Sequence, residues 1–177
     1  MWFTDLGKAR PRDMDRGAVY WAKADGTEIK EVIQPITTPN GIGLSPDEKT
    51  LYVAETEGAR LYGFLITGDG SVEKLAFPES INGGRLITCD GGFRKFDSLA
   101  IEKNGNICVA TLMTGGITIA NPNGGTLNFL ETDDPYTTNI CFGGLELKTA
   151  YLTLSWKGML VSCAWQRPGL PLNFLNL

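Results

Sequence analysis

The stretch that decides the fold is Asn40–Ala54, with the sequence NGIGLSPDEKTLYVA. It predicts a polar lead residue, a short strand, a turn at Ser45–Asp47 and a second strand that ends in a small residue. The same plan returns as DSLAIEKNGNICVA at Asp97–Ala110 and as NICFGGLELKTAYLT at Asn139–Thr153. The chain therefore contains an internal repeat, and this repeat divides the rest of the sequence into units.

Short strand patterns and glycine-containing turns fill the sequence around the three copies. No apolar stripe with the 3.6-residue helical period extends beyond about two turns, so we predict an all-β chain. Four short strands in each unit of about 40–50 residues are typical of a β-propeller blade. We predict an incomplete ring of about three and a half blades of four-stranded antiparallel sheet. The expected units are a partial blade at 1–38 and blades at about 39–90, 91–132 and 133–177, with the glycine-rich segment 82–93 as a surface loop.

An incomplete ring leaves sheet faces uncovered. Propellers close into rings because closure protects the strand edges and completes the core. Exposed apolar faces between blades favour association. We therefore expect the chain to be the C-terminal part of a longer protein or to be completed by a partner, with self-association through the open edges of the propeller.

The absence of histidine restricts the chemistry of the chain. Among 177 residues there is none, which excludes Ser-His-Asp and Cys-His catalysts and histidine-ligated zinc. Carboxylates, amides, hydroxyls, lysines or a hard metal ion must carry any reaction. The net charge of -4 argues against a nucleic-acid partner, since phosphate binding requires clustered Lys and Arg. No apolar run approaches the roughly 18 residues of a membrane helix, so we expect no membrane partner.

The four cysteines are too far apart for a zinc or redox motif. They are Cys89, Cys108, Cys141 and Cys163, and none forms a CxxC pair. We expect buried free thiols rather than a disulfide framework. Unpaired thiols are typical of a reducing compartment, so the expected location is the cytoplasm.

The repeat places polar residues at one mouth of a channel. In a propeller, the innermost strand of each blade lines the channel, and the repeat places Asn40, Asp97 and Asn139 at the start of these strands. The loops after the second strands lie at the same mouth and supply Thr4–Asp5, Glu55–Thr56, Thr111 and Ser155–Trp156. Converging oxygen atoms suit a hard cation such as Ca²⁺. Taken alone, Asn40–Gly41 is a common turn pair and Asp97 a strand-end aspartate, so only the repeated register favours a cation site.

The basic and acidic cluster at Lys8–Arg16 allows two interpretations. It is typical of a solvated loop of mixed charge. Alternatively, Lys8 contacts substrate, because it closely follows residues expected at the channel mouth.

Several motifs resemble one known family in the right order. They include FTDLGKARPRD, RGAVYWA, TPNGIGLSPDEKTLYVAET, FDSLAIEKNGNICVATL and RPGLPLNFLN. These are similar to the gluconolactonase family, also called senescence-marker-protein (regucalcin)-like or luciferin-regenerating-enzyme-like. The resemblance implies a six-bladed propeller that hydrolyses sugar lactones. It also implies one divalent cation, Ca²⁺ first, with Zn²⁺, Mn²⁺ or Mg²⁺ as alternatives.

The resemblance assigns roles to three residues of this sequence. Asn40, in the PNG motif, and Asp97 correspond to metal ligands, and Asp97 is also the expected general base. Ser98 follows Asp97 where many relatives have glycine. Lys8 falls near a position that faces substrate in the family. The family's glutamate ligand and an Arg/Asn substrate pair have no counterpart in the sequence, and we expect them upstream of Met1.

The leading hypothesis is therefore divalent-metal-dependent hydrolysis of a sugar lactone to the hydroxy acid. The cation would activate a water molecule while Asp97 accepts its proton. One alternative is a propeller fragment that binds a metal or ligand without catalysis and needs a partner or the missing N-terminal blades. Another is a related propeller esterase or phosphotriesterase.

Overall fold

The computed structural model describes residues 1–174, and within that range the chain consists of strands without a helix. The first sheet contains β1 (Trp2–Asp5), β2 (Gly17–Ala22) and β3 (Ile29–Ile36). The second contains β4 (Pro39–Leu44), β5 (Thr50–Glu55), β6 (Arg60–Gly68), β7 (Ser71–Val72) and β8 (Arg85–Cys89). The third contains β9 (Arg94–Ile101), β10 (Ile107–Met113), β11 (Gly116–Ala120) and β12 (Thr126–Glu131). The fourth contains β13 (Thr137–Gly143), β14 (Thr149–Leu154) and β15 (Met159–Ala164).

Each sheet is antiparallel, and within each sheet successive strands pair with each other, except that β8 does not pair with β7. The fourth sheet has three described strands, where we predicted four for a full blade, and the first sheet, predicted as a partial blade, also has three. The segment expected to be a surface loop instead forms β8, which pairs with β6. The reason is packing, because Ile87 in β8 is buried in the core. The prediction of an all-β chain with an incomplete propeller arrangement is confirmed, since these four sheets do not close into a ring.

The first strands of the four sheets lie side by side. β1 contacts β4, β4 contacts β9, and β9 contacts β13, as the innermost strands of neighbouring propeller blades do. β4 and β9 approach closely at Gly41, where a Cβ atom would lie only 2.5 Å from the carbonyl oxygen of Asp97. Glycine is required there because any side chain would push the two strands apart.

The core consists of three apolar clusters, each between two successive sheets. Their members include Val19, Ile33, Val53 and Phe64 between sheets one and two, Leu61, Phe96, Leu99 and Ile107 between sheets two and three, and Ile117, Ile140, Leu152 and Trp165 between sheets three and four. Burying one such side chain stabilises a fold by about 1.5–3 kcal/mol. On the face of the fourth sheet that points away from the third sheet, Tyr151 is 37% exposed and Leu160 is 70% exposed, because no described element covers them.

The prediction that all four cysteines are buried is wrong for three of them. All four are free thiols, but only Cys108 is buried. Cys141 lies on a strand of the incompletely covered fourth sheet, and Cys89 and Cys163 lie on the outer strands β8 and β15. Strand membership therefore did not guarantee burial. Within residues 1–174, no helix has the length and apolar character needed to cross a membrane.

The segment after β15 folds back onto the ends of β9 and β13. Leu170 N–H donates to the carbonyl of Ile101, and the Trp165 indole and Arg167 guanidinium donate to the fully buried carboxylate of Glu102. The segment also borders a cavity of about 330 Å³ between the inner strands. It thereby covers the end of the inner strands that lies away from Asn40.

Candidate active site at the channel mouth

Asn40 and Asp97, although far apart in sequence, meet at the channel mouth. The Asn40 side-chain nitrogen donates a hydrogen bond of 2.6 Å to Oδ1 of Asp97. Each side chain is half-buried and comes from an inner strand, β4 or β9. The structure thus brings together the carboxylate and the amide to which the sequence assigned metal binding.

A β-bulge places each of these two side chains. Asn40 and Gly41 together oppose Ala54, since Pro39 pairs with Glu55 and Ile42 with Val53. In the third sheet, Asp97 and Ser98 oppose Ala110 in the same way. A bulge leaves an extra residue outside the regular pairing and turns its side chain, and bulges are frequent next to active sites. The two copies of the repeat therefore share a β-bulge at the candidate ligand residue, Asn40 in one copy and Asp97 in the other.

Two threonines add hydroxyl groups beside this pair. The Asn40 side-chain nitrogen lies 3.2 Å from Oγ1 of Thr56, to which it donates. The Thr4 hydroxyl donates to the Asn40 backbone carbonyl at 2.8 Å. Three sheets thus supply groups to the mouth, and Asn40 lies at the junction of all three.

The electrostatics of Asp97 are dominated by burial. Burial raises the pKa of the Asp97 carboxyl, while hydrogen bonds from the Asn40 amide and the Ser98 backbone oppose this shift. Burial raises the pKa because the charged form loses hydration. A carboxylate with a raised pKa is a better proton acceptor near neutral pH.

The side-chain oxygen atoms of Asn40 and Asp97 are of the type that binds a hard divalent cation. Carboxylate and amide oxygens are the ligands that Ca²⁺ prefers. The Asn40 amide points its nitrogen at Asp97, and rotation of that amide would bring its oxygen to the same side. Within residues 1–174 no cluster of three or more Asp, Glu, His or Cys side chains is arranged to hold a metal. Of the ligands expected from the sequence, the described residues bring two together, Asn40 and Asp97, whereas Ca²⁺ takes six to eight oxygens.

Two other predicted residues do not join this cluster. Asn139 is exposed, and its side-chain oxygen accepts a hydrogen bond of 2.8 Å from the backbone N–H of Ile140. Lys8 is exposed in the loop between β1 and β2, and its backbone carbonyl accepts from the N–H of Asp15. No hydrogen bond of the described residues links either side chain to Asn40 or Asp97.

An ion pair that the sequence analysis did not predict borders the site. Lys95 lies two residues before Asp97, and Glu57 directly follows Thr56. The Lys95 ammonium lies 2.7 Å and 2.8 Å from the two carboxylate oxygens of Glu57. This pair joins the second and third sheets next to the Asn40–Asp97 contact. The only sequence signal was that Lys95 shortly precedes Asp97 and that Glu57 follows Thr56, a residue expected at the mouth.

Glu55 lies under the mouth rather than in it. The sequence placed Glu55 among the mouth residues, but its side chain is only 2% exposed. Burial raises the pKa of Glu55, and the Thr37 N–H and the Arg60 guanidinium oppose that shift. The oxygen Oε1 accepts a hydrogen bond of 2.9 Å from Thr37 N–H. Glu55 thus contacts the turn that precedes Asn40.

Comparison with known proteins identifies the family of the chain rather than the roles of individual residues. The family profile described as "SMP-30/Gluconolactonase/LRE-like region" matches residues 1–155. The chain belongs to this family. The resemblance inferred from the sequence motifs is therefore confirmed.

Individual relatives of this SMP-30/gluconolactonase/LRE-like chain include lactonase drp35 from Staphylococcus saprophyticus. It is 36% identical over 109 residues, which are 62% of this chain and 32% of the relative. The chain thus spans about a third of the length of that curated relative. An X-ray structure of a protein assigned as a gluconolactonase matches with a TM-score of 0.73 and 25% identity, over 97% of this chain and 56% of that one.

A second solved structure supports the fold alone. It is regucalcin from Agrobacterium tumefaciens, described as a calcium-binding protein, with a TM-score of 0.70 and 18% identity. The match covers 97% of this chain and 61% of that chain. The arrangement of strands is therefore shared well beyond the recognisable sequence similarity.

Proposed function

We propose that this chain carries part of the active site of a divalent-cation-dependent lactonase that converts a sugar lactone to the hydroxy acid. The observation that carries the proposal is the contact between Asn40 and Asp97 at the channel mouth. Family membership and the lactonase relative support lactone hydrolysis. Ca²⁺ is the proposed ion, with Zn²⁺, Mn²⁺ and Mg²⁺ as alternatives, because the available ligands are amide and carboxylate oxygens.

Asn40 and Asp97 are the residues that would hold the cation. A bound dication supplies a Lewis acid that polarises a lactone carbonyl and lowers the pKa of a water molecule. Asp97 acts as the proton acceptor, since a dication beside it would keep this half-buried carboxylate ionised. The Asn40 amide fixes the orientation of that carboxylate, and Thr56 in turn restrains the amide.

Lys8 is the proposed substrate contact. Its loop follows β1, whose Thr4 hydroxyl bonds the Asn40 carbonyl, so at most about 14 Å of extended chain separates Thr4 from Lys8. In the described residues the Lys8 ammonium has no ion-pair or hydrogen-bond partner, and an exposed ammonium can donate to the hydroxyl groups of a sugar.

The experiment that tests the proposal combines calcium calorimetry with a lactonase assay on the purified chain. Glucono-δ-lactone is the probe, and the variants are Asn40→Ala and Asp97→Ala. We expect both variants to lose calcium binding. If the wild-type chain hydrolyses the lactone, Asp97→Ala should lose the most activity. Calcium binding that persists in both variants would contradict the assignment of the ligands. Unchanged hydrolysis in Asp97→Ala would contradict its role as the base.

A non-catalytic cation-binding fragment is the second candidate function. The observation that favours it is the small number of ligands, since residues 1–174 contain no cluster of three acidic or thiol side chains. Calcium binding without turnover of the lactone would support this alternative. An aryl ester and a phosphotriester belong in the same assay, because turnover of either one alone would indicate a different hydrolase.

A further inference from the structure

A buried acid next to the candidate site has no role in the reaction proposed above. The Glu55 side chain is 2% exposed, and its oxygen Oε2 has no hydrogen-bond partner among the described residues. The nearest cation is the Arg60 guanidinium at 3.6 Å from that oxygen, which is too far for a hydrogen bond. Burying a carboxylate oxygen without a partner destabilises a fold, so the position calls for a physical reason.

The other carboxylate oxygen fixes an unusual turn. Oε1 of Glu55 accepts from Thr37 N–H at 2.9 Å, and the next residue, Thr38, has a φ of 45°. A β-branched residue rarely adopts this left-handed conformation. The Thr38 carbonyl accepts from Thr56 N–H at 3.0 Å, and the Thr38 hydroxyl accepts from Glu57 N–H at 2.9 Å. Three hydrogen bonds to segment 55–57 therefore hold a turn that would otherwise relax.

This turn and this segment are the two supports of Asn40. The turn leads through Pro39 directly into Asn40. The segment carries Thr56, whose hydroxyl accepts from the Asn40 side-chain nitrogen. The loop also closes tightly over the acid, because a Cβ atom on Gly58 would lie 2.5 Å from Oε2 of Glu55. The carboxylate thus fills the space between the two supports.

We propose that Glu55 is a positioning residue of the Asn40–Asp97 site. It holds the Thr37–Thr38 turn against segment 55–57, so that the Asn40 amide reaches the Asp97 carboxylate. Only the importance of this contact for lactone hydrolysis rests on the proposed function. The positioning itself concerns hydrogen bonds within the chain and can be measured without substrate or cation.

The test measures how fast the side-chain amide protons of Asn40 exchange with water, by NMR on the full 177-residue chain. Glu55→Ala removes the acceptor, and Glu55→Gln keeps Oε1 while removing the charge. Glu102→Ala is the matched control, because Glu102 is also a fully buried acid with several donors. It lies beyond the opposite end of β9 from Asp97, so it should lower stability without touching the mouth.

We expect Glu55→Ala to accelerate exchange of the Asn40 amide protons by about tenfold or more, since a charge-assisted hydrogen bond is lost. Glu55→Gln should stay within about threefold of the wild type, because the acceptor for Thr37 N–H remains. Glu102→Ala should leave the Asn40 signals unchanged. Unaltered Asn40 exchange in a folded Glu55→Ala chain, or an equal change in the control, would overturn the proposal.

A second variant covers the case in which Glu55→Ala does not fold. Gly58→Ala keeps the glutamate at position 55 but displaces its carboxylate by steric contact. It should also accelerate exchange of the Asn40 side-chain amide protons. No acceleration in Gly58→Ala would then refute the positioning role.

Calcium titration separates this inference from the proposed function. A wild-type chain without calcium affinity would contradict the cation site, while the exchange data would still decide the role of Glu55. If the wild type binds calcium, Glu55→Ala should weaken the affinity by about tenfold or more and Glu55→Gln should not. Equal calcium affinity in the wild type and in folded Glu55→Ala would overturn the proposal as well.

Discussion

Replacing Arg167 with methionine should destabilise the chain in a strongly pH-dependent way. Arg167 forms a bidentate ion pair with Glu102. Its Nε donates to Oε2 of the carboxylate, and its Nη2 donates to Oε1 at 2.9 Å. The Glu102 carboxylate is completely buried, whereas the Arg167 side chain is 35% exposed. Methionine keeps most of the length and the apolar contacts of the side chain. The substitution therefore isolates the loss of charge and hydrogen bonds.

The magnitude follows from what remains around Glu102. Removing one partner of a buried ion pair costs about 3–5 kcal/mol. Here three neutral donors stay in place, the Trp165 indole at 2.7 Å, the Asn106 amide at 2.9 Å and the weaker Cys108 thiol at 3.6 Å. Solvent also screens the exposed part of Arg167. We therefore expect the free energy of unfolding at pH 7 to fall by about 2–3 kcal/mol.

The pH dependence has a definite sign. Burial would raise the pKa of Glu102, but hydrogen bonds from Arg167, Trp165 and Asn106 together outweigh it and lower the pKa. A carboxyl with a lowered pKa stabilises the fold above its unfolded pKa, and this contribution disappears as pH falls through the folded value. Without Arg167 the opposition to burial weakens, so the pKa of Glu102 should rise. The stability difference between the wild type and the variant should accordingly shrink towards pH 3.

Urea unfolding followed by tryptophan fluorescence, at pH 7 and at lower pH, measures both effects. Lys103→Met is the control, because Lys103 is an exposed cation beside Glu102 that forms no ion pair within the described residues. It should change the free energy of unfolding by less than about 0.5 kcal/mol. A loss below about 1 kcal/mol for Arg167→Met, or a loss that does not depend on pH, would refute the reasoning.

Three further substitutions have expected outcomes. Without added cation, Asp97→Asn should raise the melting temperature at pH 7, because a carboxyl whose pKa is raised by folding costs stability when it is ionised. This gain in melting temperature should vanish in acid, where the carboxyl is protonated, and a lower melting temperature at pH 7 would contradict the prediction. Gly41→Ala should lower the free energy of unfolding by about 1–3 kcal/mol in urea, since its Cβ atom would contact the Asp97 carbonyl, and unchanged stability would argue against the close approach of β4 and β9. Leu160→Lys, on the exposed face of the fourth sheet, should reduce the proposed self-association in sedimentation analysis, and an unchanged oligomeric state would exclude that face as the contact.

The sequence predicted the meeting of Asn40 and Asp97 because the repeat has a fixed geometry. Two residues at the same position of neighbouring units must lie at the same end of neighbouring inner strands. It could not predict the bulges that turn their side chains, since a bulge depends on the register with the partner strand. It also placed Asn139 with the other two, whereas the structure leaves Asn139 exposed and bonded to its own strand.

Other features were hidden because they depend on contacts between distant segments. Glu55 ends a strand and carries a charge, which favours exposure, yet a turn 18 residues earlier covers it. The Lys95–Glu57 pair joins two sheets across 38 residues of sequence. The glycines on either side of β8 conceal one apolar residue of the strand, Ile87, that is buried in the core, whereas its neighbour Leu86 is exposed. Local patterns therefore specify strands more reliably than they specify burial.

The three separate apolar clusters make this molecule a one-dimensional array. Each cluster is shared by two successive sheets, so stability is transmitted mainly between nearest neighbours, as in repeat proteins. The outer two sheets have one neighbour each and should exchange their backbone amides first. Asn40 and Asp97 belong to the inner two, which are supported on both sides. If the outer sheets unfold first, the candidate site between the inner two sheets should be the last part to lose its structure, even though the ring is open.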